Sequence, residues 1–314
     1  MTTSTATPSV GVRRTPDPQP DAERDRSERR LATLLLVPTL VLLGVVVGAP
    51  ILRALWLSLF TDDEFGDSKF AGLHQYVRAL TGKGASDFWS AWAVTSEITF
   101  VSLVLELALG MAMALIMHRA FRGRGLIRTS VLVPWAIPTA VTALLWQWMF
   151  QPTGVINAIT GRHTIWTGSH WPSMWAIIIA DVWKTAPFIG LLLLAGLQII
   201  PDELYEAAKV DGASTLQRFR RITLPLLRNA ILVAVLFRML DVLRIFDLPY
   251  ILTHGANNTT TLSIYAFNES IRNLHTHYGS ALSTLTFLYI LLVATLFIKL
   301  MGASVVQSQS KAVR

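Results

Sequence analysis

The 314 residues are 52% hydrophobic and only 15% charged, with a mean hydropathy of +0.48, whereas about a quarter of a soluble domain is charged. This composition excludes an ordinary globular protein and points to an integral membrane chain. The absence of cysteine removes disulfide frameworks, thiolate metal sites and cysteine nucleophiles, and the formal charge of +7 is better explained by Lys and Arg gathered on one side of a bilayer than by nucleic acid.

Residues 1–30 are rich in Thr, Pro, Asp and Arg and hold almost no large apolar side chain. They cannot bury enough surface to offset ordering entropy, which predicts a disordered tail. The apolar run from Leu31 to about Leu59 is too long for a signal-peptide core and lacks a small-residue cleavage site, so it is expected to persist as the first transmembrane helix, kinked at Pro38, Gly44 and Pro50. Further runs long enough to cross the hydrocarbon core lie at about Ala91–Met117, Leu126–Phe150, Met174–Leu197, Leu227–Leu252 and Ser280–Met301. Long continuous apolar runs require helices rather than barrel strands. The expected architecture is all-α: a polytopic domain of six transmembrane helices over 31–302, with cytoplasmic tails at 1–30 and 303–314. No repeat of a three-helix half is evident, which argues against an inverted-repeat secondary transporter.

With both termini inside, eighteen Lys and Arg fall in the inner segments and five in the outer loops. The positive-inside rule therefore predicts cytoplasmic termini and places 198–226 inside the cell. Trp89, Trp92, Trp166, Trp171 and Trp175 cluster near the outer ends of the spans, at the headgroup level that amphipathic rings favour. The outer loop Thr253–Gly279, rich in Asn, Thr and His with Gly255 available for a tight turn, is long enough to meet a partner.

The inner segment 198–226 has a shape of its own. Asp202 and Glu203 suit a first helical turn, Glu206–Val210 are good helix formers, Gly212 can end that helix in the left-handed region, and Ser214 or Thr215 can cap a second short helix before Pro225 marks the return to the membrane. Small side chains at Ala207, Ala208 and Ala213 permit close backbone approach, and Phe219 offers an apolar anchor. An amphipathic segment lying on anionic lipid would use Arg218, Arg220 and Arg221, but gives no reason for the Glu-Ala-Ala and Gly spacing.

The order Glu206-Ala207-Ala208, Gly212, Ile222 and Leu224-Pro225 resembles the signature loop of permease subunits of bacterial ABC importers. The phrase Val210-Asp211-Gly212-Ala213 is similar to their carbohydrate branch, which includes the maltose permeases. Asp181 to Pro187 before the loop and Phe237 to Asp247 after it look most like the trehalose-importer permeases of actinobacteria. The likeness runs from about Leu31 to the last span. It implies the type I permease fold, and a coupling helix in which Glu206, Ala207, Ala208, Asp211, Gly212, Phe219, Ile222, Leu224 and Pro225 meet an ATPase. It also implies a second permease completing the pore, two ATPase subunits carrying ATP and Mg, and an extracytoplasmic solute-binding lipoprotein that delivers sugar. In the outer loop, His254-Gly255 with Asn257, Asn258 and Thr259 resembles the Thr-Gly-Gly turn of that branch, with His254 in place of a glycine; these residues are expected to face the binding protein.

Ionisable groups within spans cost roughly 2.5–3.5 kcal/mol on insertion scales unless paired or hydrated, so each needs a reason. Asp181, Lys184 and Phe188 share one helix face, as do Arg238, Asp241 and Ile245. The resemblance puts sugar-contacting positions at Asp181, Lys184, Thr185, Phe188, Arg238, Asp241, Val242 and Ile245. Charges at four of these depart from the neutral or aromatic side chains of maltose permeases, and Asp181 or Asp241 neutralising Lys184 or Arg238 between helices is an equal alternative. Arg244 and Asp247 lie nearer the outer mouth, Trp183 is a candidate for sugar stacking or core packing, and Glu97 and Glu106 have no evident partner. The chain holds no G-x-x-x-x-G-K-[ST] phosphate loop, no H-E-x-x-H metal spacing and no nucleophile–base set, so neither a catalytic residue nor a resident metal or cofactor is expected in it. The reading is a non-enzymatic permease of the bacterial plasma membrane for trehalose or a similar disaccharide. Rivals are another cargo, such as maltose or glycerol phosphate, and a proton-coupled transporter using Asp181, Asp241 and Glu97.

Overall fold

A computed structural model describes residues 22–62, 68–119 and 123–312. The contacts divide the chain into two units, 1–53 and 54–314. In the first unit, helix α1 (Ala22–Leu43) passes through a wide π turn (Gly44–Gly48) into α2 (Ala49–Leu57). The first 21 residues of the expected disordered tail lie outside the described residues, but the chain is helical from Ala22 on. Once an apolar helix exists, extending it through Glu23, Arg24 and Glu28 adds a hydrogen bond per residue without a new nucleation cost. At the π turn the Ala49 N–H reaches Gly44 O, five residues back, just before Pro50, which has no N–H to donate.

The second unit opens with a short antiparallel hairpin, β1 (Phe60–Asp62) and β2 (Ser68–Phe70), then α3 (His74–Leu80) and the 34-residue α4 (Ala85–His118). The chain continues through α5 (Arg124–Ala136), α6 (Thr139–Met149), α7 (Val155–Thr160) and α8 (His170–Leu197). The inner segment supplies α9 (Asp202–Val210), α10 (Thr215–Arg218) and α11 (Leu224–Leu226). After it come α12 (Arg228–Val242), α13 (Asp247–Thr253), α14 (Leu262–Phe267) and α15 (Thr276–Ala312). The expected tail from 303 is therefore a continuation of the last helix as far as Ala312.

Among the described residues, four helices are long and apolar enough to cross a membrane, within 30–57, 85–118, 170–197 and 276–300, and six result if each of two bent pairs counts as one span. The third expected span is broken into α5 and α6 at 91°. Pro138 explains the corner: it disfavours helical backbone at the preceding residue, and Ile137 is extended at φ −71°, ψ 133°. The fifth expected span, 227–252, also departs from a single helix. α12 stops at Val242 and α13 restarts at Asp247, while the 215–226 segment meets α12 at a 65° bend.

α8 is the hub, packing against α4, α5, α6, α12 and α13. Its contact with α4 is the most extensive and rests on two glycines: a Cβ on Gly110 would stand 2.7 Å from Ile189 Cγ2, and one on Gly190 3.3 Å from Gly110 O. Small residues at a crossing let membrane helices approach closely where water supplies no hydrophobic drive. One apolar core gathers Ile98, Trp146, Ile177, Val242 and Leu248, and another Ala114, Ile189, Leu193, Leu197 and Leu227. Along α4, α8 and α12, Glu106, Asp181 and Arg238 fall between these two cores.

Candidate functional site

Helical spacing brings Glu106 of α4, Asp181 and Thr185 of α8, and Arg238 of α12 to one point. Arg238 Nε donates to Glu106 Oε2 at 2.6 Å and Nη2 to Glu106 Oε1 at 2.8 Å, a bidentate fork. Nη2 also donates to Asp181 Oδ2 at 2.5 Å, and Nη1 to Asp241 Oδ2 at 2.5 Å. The Thr185 hydroxyl donates to Glu106 Oε1 at 2.5 Å, with the Asp181 carbonyl oxygen 2.6 Å away. Arg238 is 4% exposed and Glu106 fully buried, while the Asp241 side chain is 62% exposed. One guanidinium thus bridges three helices inside the protein and reaches the surface at a single carboxylate.

Lys184, one turn along α8 from Asp181, leaves this cluster. Its ammonium donates to Ile137 O at 2.5 Å and stands 3.4 Å from Trp135 O. These carbonyls end α5 at the 91° corner, where a broken helix leaves acceptors unpaired and partial negative charge favours a cation. The Phe188 ring stacks on Trp135 at 5.3 Å with a 10° interplanar angle, and Trp183 meets Trp146 edge-on at 5.7 Å.

The nine positions expected to line one sugar path are therefore divided. Asp181, Thr185, Arg238 and Val242 are buried, and the three polar ones already have partners, so the pairing alternative describes Asp181 and Arg238 in this conformation. Asp241 and Arg244 are exposed, and Lys184, Phe188 and Ile245 half-buried. The partner of Glu106 was missed because it lies 132 residues away; Glu97 forms no ion pair with a described residue. Asp247 opens α13 in its first turn.

The inner segment folds much as its spacing predicts. α9 carries Asp202 and Glu203 in its first turn. Gly212 takes φ +76°, the left-handed conformation that ends the helix, with Ala213 N–H bonded to Ala208 O at 2.9 Å. Ser214, not Thr215, caps α10 in a reciprocal box with Gln217. Pro225 lies within α11 and the turn toward the membrane comes at Leu227. Glu206, Ala207, Asp211 and Gly212 are exposed, whereas Ala208 and Ile222 are half-buried, and Ile222 packs against the core at that end. Phe219 is not an exposed anchor: it is half-buried and lines a 690 Å³ cavity with Leu115, His118 and Tyr205. The exposed apolar side chains of the segment instead include Ile199, 82% exposed, Val210, 88% exposed, and Leu216, 57% exposed, with Leu224 exposed beyond them.

At the opposite ends of the spans, His254, Gly255, Asn257 and Asn258 all take positive φ. His254 adopts the left-handed cap of α13 in place of the glycine, its N–H bonded to Tyr250 O at 2.9 Å. Asn257 Nδ2 donates to Thr167 O at 2.7 Å, and Asn258 Oδ1 accepts from the Ser90 hydroxyl at 2.7 Å. The turn is fastened to two neighbouring segments rather than left as a free loop.

Residues 106–308 match the family of binding-protein-dependent transport system inner membrane components. The chain belongs to this family of permeases. It is 43% identical over 281 residues to the trehalose transport system permease SugA of Mycobacterium tuberculosis, covering 88% of this chain and 91% of that one. It is equally 43% identical to the trehalose/maltose transport system permease MalF of Thermococcus litoralis, covering 87% and 94%. A crystal structure of a bacterial ABC transporter that imports the acidic polysaccharide alginate superposes with a TM-score of 0.77 at 21% identity, over 90% of this chain and 98% of that one, which establishes the ABC importer permease fold. This permease is accordingly a non-catalytic membrane component of an ABC importer.

Proposed function

We propose that this permease forms half of the pore of an ATP-driven importer of trehalose or a similar neutral disaccharide in the bacterial plasma membrane. The observation that carries the cargo is the 43% identity, over nearly the whole length, to permeases named for trehalose and for trehalose and maltose. The formal charges of the site fit a neutral cargo: the carboxylates of Glu106, Asp181 and Asp241 are matched in number by the cations Arg238, Lys184 and Arg244, three against three. Asp241, Arg244, Phe188 and Ile245 then offer the sugar polar groups and an apolar face.

A second permease completes the pore. Of two ATPase subunits, which bind the ATP and Mg, one seats on Glu206, Ala207, Asp211, Gly212, Val210 and Leu216 and the other on the second permease, and the His254–Asn258 turn faces an extracytoplasmic binding protein. Both termini lie in the cytoplasm. ATP binding draws the ATPase pair together and moves the coupling segment, the helices on either side open the path outward, and hydrolysis resets them; each partner acts by binding one state better than the other. The test is uptake in a bacterium lacking its own trehalose permease, supplied with this chain and its partner subunits. Labelled trehalose is expected to accumulate, and excess unlabelled maltose to compete only where the cargo class is broad. Uptake of glycerol phosphate but not of disaccharide would contradict the assignment.

A further inference from the structure

We propose that Arg238 is a positioning residue that locks α12 to the α4–α8 pair, so that motion of the coupling segment reaches all three helices as one body. This rests on the permease reading above and extends it to how force crosses the chain. The coupling segment joins the membrane helices at two ends: α8 runs directly into it and α12 leaves it through a 65° bend. At the α8 end, the Gly110–Gly190 crossing presses α4 and α8 together backbone to backbone. The α12 end has a close approach near the bend, where a Cβ on Gly196 would stand 2.5 Å from Ala230 Cβ. Farther along, the Arg238 guanidinium is the polar tie, holding α4 through Glu106 and α8 through Asp181.

The tie resists sliding for a chemical reason. Four of the five guanidinium N–H groups are engaged, and both inner carboxylates are buried. Any shift of α12 along α8 would strand charges away from water and from one another, an unfavourable state in a low-dielectric interior. α12 therefore moves with α4 and α8 or not at all. Without the tie, the 65° bend lets the coupling segment swing while the membrane helices stay in place, and the ATPase pair closes unrestrained by the resting pore.

The experiment uses the complete importer in proteoliposomes, carrying Glu106→Gln or Asp181→Asn, each isosteric with the residue it replaces, or Arg238→Lys, which keeps the charge but loses the bidentate fork. Basal ATP hydrolysis is read first, without binding protein or sugar, so the result does not depend on which cargo is transported. The tie predicts a basal rate at least 5-fold above wild type in at least one variant that co-purifies with its ATPase subunits, and loss of stimulation by loaded binding protein. A basal rate unchanged in all three overturns it, as does a parallel fall of basal and stimulated rates, which is what a merely structural residue gives. If Glu106→Gln fails to assemble, the same criterion is applied to Asp181→Asn, which removes one negative charge from the cluster, and Arg238→Lys, and a basal rate unchanged in both overturns the proposal. Failure of wild-type trehalose uptake would instead strike the cargo assignment and leave the basal comparison valid.

Discussion

Arg238 makes a one-sided energetic demand. Removing one member of a buried ion cluster leaves the others desolvated and unpaired, at a cost of about 3–5 kcal/mol, whereas replacing the whole set by neutral groups of similar volume is often close to neutral. Arg238→Met should therefore lower the stability of the purified permease sharply in a thermal unfolding series, and the triple variant Arg238→Met, Glu106→Gln, Asp181→Asn should recover most of the loss. Equal stability of the single and triple variants would show that the carboxylates do not depend on the guanidinium. The sequence marks Asp181, Lys184, Arg238 and Asp241 as charges on two helix faces, because helical spacing is legible in one chain. It does not show which charges meet. That depends on the rotation of α4 against α8 and α12, and a partner 132 residues away leaves no local pattern. Lys184 illustrates the same limit: its acceptors are backbone carbonyls, which no side-chain pattern encodes.

At the scale of elements, what local chemistry controls is legible. Gly212 and the Ser214–Gln217 box set the α9–α10 turn from within a few residues, so the segment's shape is written in its own sequence. The interruptions of the spans are less legible. Hydropathy measures apolar length but not direction, and α5 and α6 remain one apolar run despite the 91° corner at Pro138. The residue type of Phe219 suits an apolar anchor, yet its side chain is half-buried and lines a cavity with Leu115 and His118 of α4. The orientation of these elements can be measured directly, since the chain has no cysteine and single substitutions give no background. With the permease expressed without its ATPase subunits, Leu216→Cys should react with a membrane-impermeant maleimide only after the cells are permeabilised. Ile271→Cys, 61% exposed beyond α14, should react in intact cells. The reverse pattern would invert the assigned topology.

For the whole molecule, the proposed function makes this chain dependent on others: its inner segment exposes Val210 and Leu216, which that proposal gives to an ATPase subunit. A proton-coupled transporter would need none of these partners, and would use exposed carboxylates such as Asp241 as carriers. The two accounts separate in one measurement. The permease is reconstituted in sealed liposomes, alone or with its partner permease, ATPase subunits and binding protein, and uptake of labelled trehalose is followed with ATP or with a proton gradient as the sole energy source. ATP-dependent accumulation by the complete assembly, with none by the chain alone, is the predicted result; gradient-driven accumulation by the chain alone, without ATP, would contradict the account.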